Sequence, residues 1–226
     1  NAAHNPYRCT QPQQVAAWKQ TLAALPPIPI GRSTAKGKTP PLGVGDPSGF
    51  PVILPAEHYG KTSNGENPEL YVTFPYHLYG IDKPGLQLAR DTFAARRFPQ
   101  DTCWGQDGTE SAAIGLTDEA QKAVIAEFTN YGDQRFKWFW RPAHDWIPDL
   151  DNGGDGMITL QSMLMQDDGR KILLLPAWPK AWTADFTLHA PFETTVEGHV
   201  QDGKLTHLEV WPKSRAKDVV VIHLKH

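Results

Sequence analysis

With 226 residues, 40% of them hydrophobic and 21% charged, the chain is long enough to bury a core as one domain or two. No apolar run approaches the roughly 18 residues of a membrane-spanning helix. A formal net charge of −3 supplies no basic field for nucleic acid or anionic lipid. The two cysteines, Cys9 and Cys103, fit no metal-ligand spacing and are either bridged or two separate buried side chains.

In chain order, the first predicted helix opens with Thr10-Gln11-Pro12-Gln13, which has the form of a capping box. Val15, Trp18, Leu22 and Leu25 then recur on one face before Pro26-Pro27 ends it. From Pro26 to Pro68 the chain is rich in glycine and proline, with one strand-like patch at Val52-Ile53-Leu54. A connection that long is an active-site wall or a disordered segment. Asp82 is expected to cap a second helix carrying Leu86, Ala89 and Phe93 on one stripe, stopped by Pro99. Thr117 is expected to cap a third, with Asp118 and Glu119 at its positive end and Ala120, Val124, Phe128 and Tyr131 along one side. A fourth runs from Met157 to Gln166, with Asp155 as its cap. Beyond Lys171 the pattern changes to short apolar runs at 171–175, 186–189, 194–201, 204–211 and 219–224, read as a small antiparallel sheet unit packed against the helices. Asp202-Gly203 marks a hairpin turn. Val200 opposite Leu205 suits that hairpin, and a bulge near Thr206-His207 brings Leu208 into phase.

Chemistry concentrates at Asp149-Leu150-Asp151-Asn152-Gly153-Gly154-Asp155-Gly156, where three carboxylates and an amide sit on a glycine-loosened backbone beside a helix start. Their mutual repulsion calls for a helix N-terminus, a cation or a substrate to offset it. Paired carboxyls, one protonated and one ionised, are the minimum for hydrolysing a glycosidic bond, and Glu57, Glu66, Glu69 and Glu110 are further candidates. The plain alternative is a helix cap with two solvated neighbours. An EF-hand requires an oxygen ligand at the fifth position and a glutamate at the twelfth, where Gly153 and Leu160 stand. His58, His77 and His144 lie outside any HExxH pattern, and the chain has neither a nucleophile elbow nor a phosphate-cradling glycine loop. Trp104, before Gly105-Gln106-Asp107-Gly108, is either a sugar platform or a core residue.

Several ordered motifs resemble the C-terminal part of glycoside hydrolase family 95, the inverting α-L-fucosidases and α-galactosidases. Leu25-Pro26-Pro27-Ile28-Pro29-Ile30-Gly31 is similar to a Leu-Pro-Pro turn after a barrel helix, and His77-Leu78-Tyr79-Gly80 to the end of a histidine-rich motif. Leu150-Asp151-Asn152-Gly153-Gly154 resembles the Ile-Asp-Gly-Asn-Phe-Gly loop. Met163-Leu164-Met165-Gln166 and Leu173-Leu174-Leu175-Pro176-Ala177-Trp178-Pro179-Lys180 resemble the segments that follow it. The chain departs from the family in lacking the first histidines of that motif, in having Asn152 after Asp151, and in the extra Asp155.

The resemblance implies a mainly α fold with a β appendage: residues 1–170 as part of an (α/α)6 barrel and 171–226 as a small antiparallel β-domain. It also implies a secreted or periplasmic inverting glycoside hydrolase acting on a glycan without a cofactor or metal. Asp151 becomes the catalytic base or its electrostatic anchor, with Asp149 or His144 orienting it and Glu69, His77 and Trp104 holding the sugar. The general acid is then expected upstream of Asn1, in an N-terminal part of the same protein. The rival expectation is a non-catalytic carbohydrate-binding or scaffold protein.

Overall fold

The computed structural model describes residues 12–40, 45–61, 64–100, 105–129 and 151–222. Among them are five α-helices: α1 (Pro12–Ala24), α2 (Leu86–Ala95), α3 (Asp107–Ala113), α4 (Thr117–Thr129) and α5 (Asp151–Leu164). There are eight strands: β1 (Ile30–Arg32), β2 (Pro51–Ile53), β3 (Met165–Asp168), β4 (Lys171–Leu174), β5 (Ala184–Ala190), β6 (Thr194–Gln201), β7 (Lys204–Trp211) and β8 (Val219–Val221). Two 3-10 turns, Pro68–Leu70 and Lys213–Asp218, complete the list.

This arrangement overturns the expectation of a mainly α chain forming part of an (α/α)6 barrel. Among the described residues helix occupies 36% and strand 22%, the latter in three small sheets, and the helices are too few for a barrel. The reason lies in what each apolar stripe meets. The α1 stripe is not buried among the described residues: no α1 residue is buried, and Trp18 and Leu22 are 53% and 70% exposed. The α2 stripe, with Ala89 and Phe93 buried, packs near β2 and the 3-10 turn at Pro68–Leu70. Only α3, α4 and α5 pack mutually as helices.

Those three helices approach closely because glycines stand at their contacts. A Cβ on Gly108 of α3 would lie 2.7 Å from Thr159 Oγ1 of α5, and one on Gly156 would lie 3.0 Å from Glu127 Cβ of α4. Gly108 lies beside Thr159, and Gln166, just beyond α5, donates to the Ala112 carbonyl at 2.7 Å. Helices α3 and α5 therefore run the same way. With Gly156 against Glu127 and Met163 clustered with Ala120 and Val124, α4 runs opposite. Three cap expectations change. Helix α4 begins at Thr117, with the Leu116 carbonyl accepting from Ala120 N, so Thr117 is its first residue rather than its cap. Helix α5 begins at Asp151, so Asp155 lies inside it rather than capping it. Gly85, in the left-handed region at φ 79°, precedes α2, while Asp82 pairs with Lys171.

The C-terminal strands form two sheets, β3-β4-β8 and β5-β6-β7. The first is mixed, not antiparallel throughout, since β4 and β8 pair in parallel. β3 precedes position 171 and pairs antiparallel with β4. The second sheet matches its sequence pattern closely. Asp202 and Gly203 both take positive φ (51° and 72°), the signature of a two-residue type I′ hairpin. Val200 pairs with Leu205 and His199 with His207, so the register shift leaves Thr206 as the extra residue. Ile172, Leu174, Phe186, Val196, Val200 and Val210 form one cluster joining both sheets.

Leu174, fully buried there, and Trp18, on the open stripe of α1, make opposite expectations. Leu174→Ala should cost about 2–5 kcal/mol in denaturant unfolding. Trp18→Ser should change stability by no more than about 0.5 kcal/mol. A Trp18→Ser loss comparable to that of Leu174→Ala would show that α1 packs as a core helix.

Candidate functional site

A hollow of about 260 Å³ lies where the segment around Pro68–Leu70, the stretch at Gln100 and the N-terminal turn of α3 converge. Glu66, Asn67, Tyr71, Gln106, Asp107 and Glu110 supply its polar groups. Proline at the first position of the 3-10 turn fixes that segment's direction. The Asn67 amide then ties it to the neighbouring wall, donating to the Phe98 carbonyl at 2.9 Å and accepting from Phe98 N at 3.1 Å.

Helix α3 is the unusual element. All seven of its residues are buried, including Asp107 and Glu110. Asp107 is compensated: Oδ2 accepts from Arg96 Nε at 2.7 Å and from the Gln100 backbone N–H at 2.9 Å. Glu110 is not. It is 2% exposed, and its Oε2 has no hydrogen-bond partner among the described residues; the same holds for Gln106 Oε1. Burial pushes the Glu110 carboxyl well above its usual range, and the Asp107 charge adds to the effect more than Arg96 offsets it. Burial thus favours the protonated form of Glu110, the form able to donate a proton.

Glu66 on the facing segment is an acceptor twice over. Its Oε2 accepts from Tyr71 Oη at 2.9 Å and its Oε1 from Asn64 Nδ2 at 2.8 Å. Burial, reinforced by the bond to Glu66, pushes the Tyr71 phenol up to about 12, so it stays a donor across the working pH range. The cleft therefore combines three carboxyls, Glu66, Asp107 and Glu110, with a fixed phenol and three amides, Asn67, Gln100 and Gln106. Among the described residues no lysine, arginine or histidine lines it.

The residues singled out from sequence are dispersed. Asp151 opens α5, is exposed, and does not line the Glu110 cleft. It lies ten residues of parallel helix from the level of Glu110 (Thr159 is beside Gly108), on the order of 15 Å at 1.5 Å per residue. The carboxyl pairs of glycosidases are separated by about 5–9.5 Å, so Asp151 and Glu110 do not form one. Glu69 is buried beside the site but does not line it, and burial raises its carboxyl. His77 is exposed on a turn at φ 48°, edge-on to Phe74 at 5.9 Å, and lines a separate crevice with Lys83 and Asp168. Asp149, His144 and Trp104, like Cys9 and Cys103, lie outside the described residues. Among the described residues no three histidine, cysteine or carboxylate side chains are placed to hold a metal, and no helix is long and apolar enough to cross a membrane.

Sequence reasoning gave Glu66 and Glu110 only as spare carboxylates and passed over Tyr71, Asn67 and Gln106. The available signal was Asp107-Gly108-Thr109-Glu110-Ser111-Ala112-Ala113, where carboxylates three apart sit among residues small enough to let the helix be buried.

Raised carboxyls have a consequence for stability. Glu110 and Glu69 take up protons more readily folded than unfolded. Their contribution is therefore fully present below the ordinary carboxyl range and is lost as pH rises through their folded values. Melting temperature measured between pH 5 and 8 should fall toward the upper end, and Glu110→Gln should flatten the fall. A variant with the wild-type slope would show that Glu110 is ionised in the folded state.

Comparison with protein-family models gives no match, and comparison with curated protein sequences gives no significant one.

Proposed function

We propose that the chain hydrolyses a glycosidic bond in this cleft, with Glu110 as general acid and Glu66 as general base. The observation that carries the reading is the buried Glu110 carboxyl with one oxygen unpartnered, on the wall of a polar hollow shared with a second carboxyl. Glu110 gives its proton to the bridging oxygen as the bond to the anomeric carbon breaks. Glu66 takes a proton from the water that attacks that carbon. Tyr71, Asn67 and Gln106 meet the sugar's hydroxyls, where an exact match of donors and acceptors gives selectivity. The hydrolase class agrees with the one the ordered motifs suggest, and the chemistry moves from the α5 terminus to the α3 cleft.

Wild type, Glu66→Gln and Asp151→Asn should be assayed against a panel of neutral oligosaccharides with reducing-end detection. Glu66→Gln is expected to lose about 10²–10⁴-fold in rate, and Asp151→Asn to retain wild-type turnover. The reverse pattern would return catalysis to the start of α5. Saturable sugar binding with no turnover by wild type would favour a non-catalytic carbohydrate-binding protein.

A further inference from the structure

Two hollows meet at one wall. The Glu110 cleft and a smaller hollow of about 110 Å³ share Gln100 and Asp107 as lining residues. The smaller one is completed by Phe93, Arg96, Pro99, Glu119, Lys122 and Ala123. The shared wall is rigid. Besides the bonds to Asp107, Arg96 donates from Nη1 to the Phe93 carbonyl at 2.7 Å, and its guanidinium sits 3.7 Å from the Phe93 ring centroid. The Arg96 and Asp107 side chains are only 12% and 7% exposed. A partition held by a buried ion pair does not swing aside for a ligand, because separating the pair would strand a charge. A ligand reaching both hollows must therefore pass over it.

The two sides differ in chemistry. Carboxyls and amides line the Glu110 cleft. The smaller hollow is mixed: Phe93, Pro99 and Ala123 give it small apolar patches beside the Arg96–Asp107 pair and Gln100, under a rim of the exposed Glu119 and Lys122, with Glu119 4.0 Å from Arg96 Nη2. Small apolar patches suit the C–H edge of a sugar ring, and a charged wall and rim suit its hydroxyls. We infer that the smaller hollow is a second sugar subsite, so that the substrate is a chain of at least two units straddling the Asp107–Gln100 wall. This rests on the reading of the Glu110 cleft as a glycosidic site and adds the length of its substrate.

The test is a calorimetric series of mono-, di- and trisaccharides from the gluco-, galacto- and manno- series, titrated into the Glu110→Gln chain to prevent turnover. The same titrations are made with Glu119→Ala and Lys122→Ala added; both positions are solvent-exposed on α4. In the parent, one series should bind about tenfold tighter as disaccharide than as monosaccharide, a gain typical of one added set of contacts. The added substitutions should reduce that gain to less than about threefold. Equal affinity for mono- and disaccharide, or a gain that survives both substitutions, overturns the second subsite while leaving the cleft reading intact. If no series binds and wild type cleaves none of the sugars, the cleft reading fails and the subsite with it.

Discussion

Glu110→Gln is expected to lower glycan hydrolysis by about 10²–10⁴-fold, the span that removal of a general acid produces. The amide keeps the shape of the protonated carboxyl but has no acidic proton for the leaving oxygen. Because burial favours the protonated form of the native side chain, a neutral amide of the same shape should be accommodated, and melting at neutral pH should not fall. This separates catalysis from packing: loss of turnover with a preserved melting curve identifies a chemical role. Loss of both would mark Glu110 as part of the α3 scaffold. Substrates with good leaving groups need less protonation, so an activated aryl glycoside should lose far less than a natural linkage.

Arg96→Ala should be the most damaging single change near the site, costing about 3–5 kcal/mol. Asp107 would lose the guanidinium 2.7 Å away, in a place where its own side chain is 7% exposed and must either stay charged without it or take up a proton. The cost should appear as a melting temperature lower by on the order of 10 °C. The exposed Lys171–Asp82 pair sets the contrast, with side chains 52% and 48% exposed. Lys171→Ala should leave the melting temperature almost unchanged, since solvent screens that pair. Equal losses for the two variants would mean that the Arg96–Asp107 pair is hydrated and does not anchor α3.

How far the sequence could be read depended on whether neighbouring or distant residues set the outcome. The β6–β7 hairpin was legible down to its extra residue, because Asp202-Gly203 fixes the turn and the alternation of Val196, Gly198 and Val200 fixes the face. Helix α4 was equally legible from its acidic first turn and its Ala120–Val124 stripe. Helix α3 was not. Its residues are small and polar with no apolar period, and it is helical because α4 and α5 enclose it. The glycines at 153, 154 and 156 read as a loosened loop, yet they lie inside α5, where Gly156 allows contact with Glu127 and Phe128. The barrel expectation failed for a related reason. An apolar stripe predicts that a helix has a buried face, as in α2, but not what it packs on, and the α1 stripe is not buried among the described residues.

The cleft was not legible from sequence, where carboxylate density stands out at 149–155. Glu66 and Glu110 line one hollow from positions 44 residues apart, one before the Pro68–Leu70 turn and the other on the buried α3. Desolvation makes Glu110 chemically distinct, and that is a property of the assembled fold.

The most direct measurement is the ionisation of Glu110, followed by carboxyl ¹³C NMR on the folded chain across pH, with Glu110→Gln assigning the resonance. A carboxyl that remains protonated well above the usual glutamate range is the predicted result. A Glu110 resonance that titrates with the exposed glutamates would contradict the account, leaving the cleft without an acid.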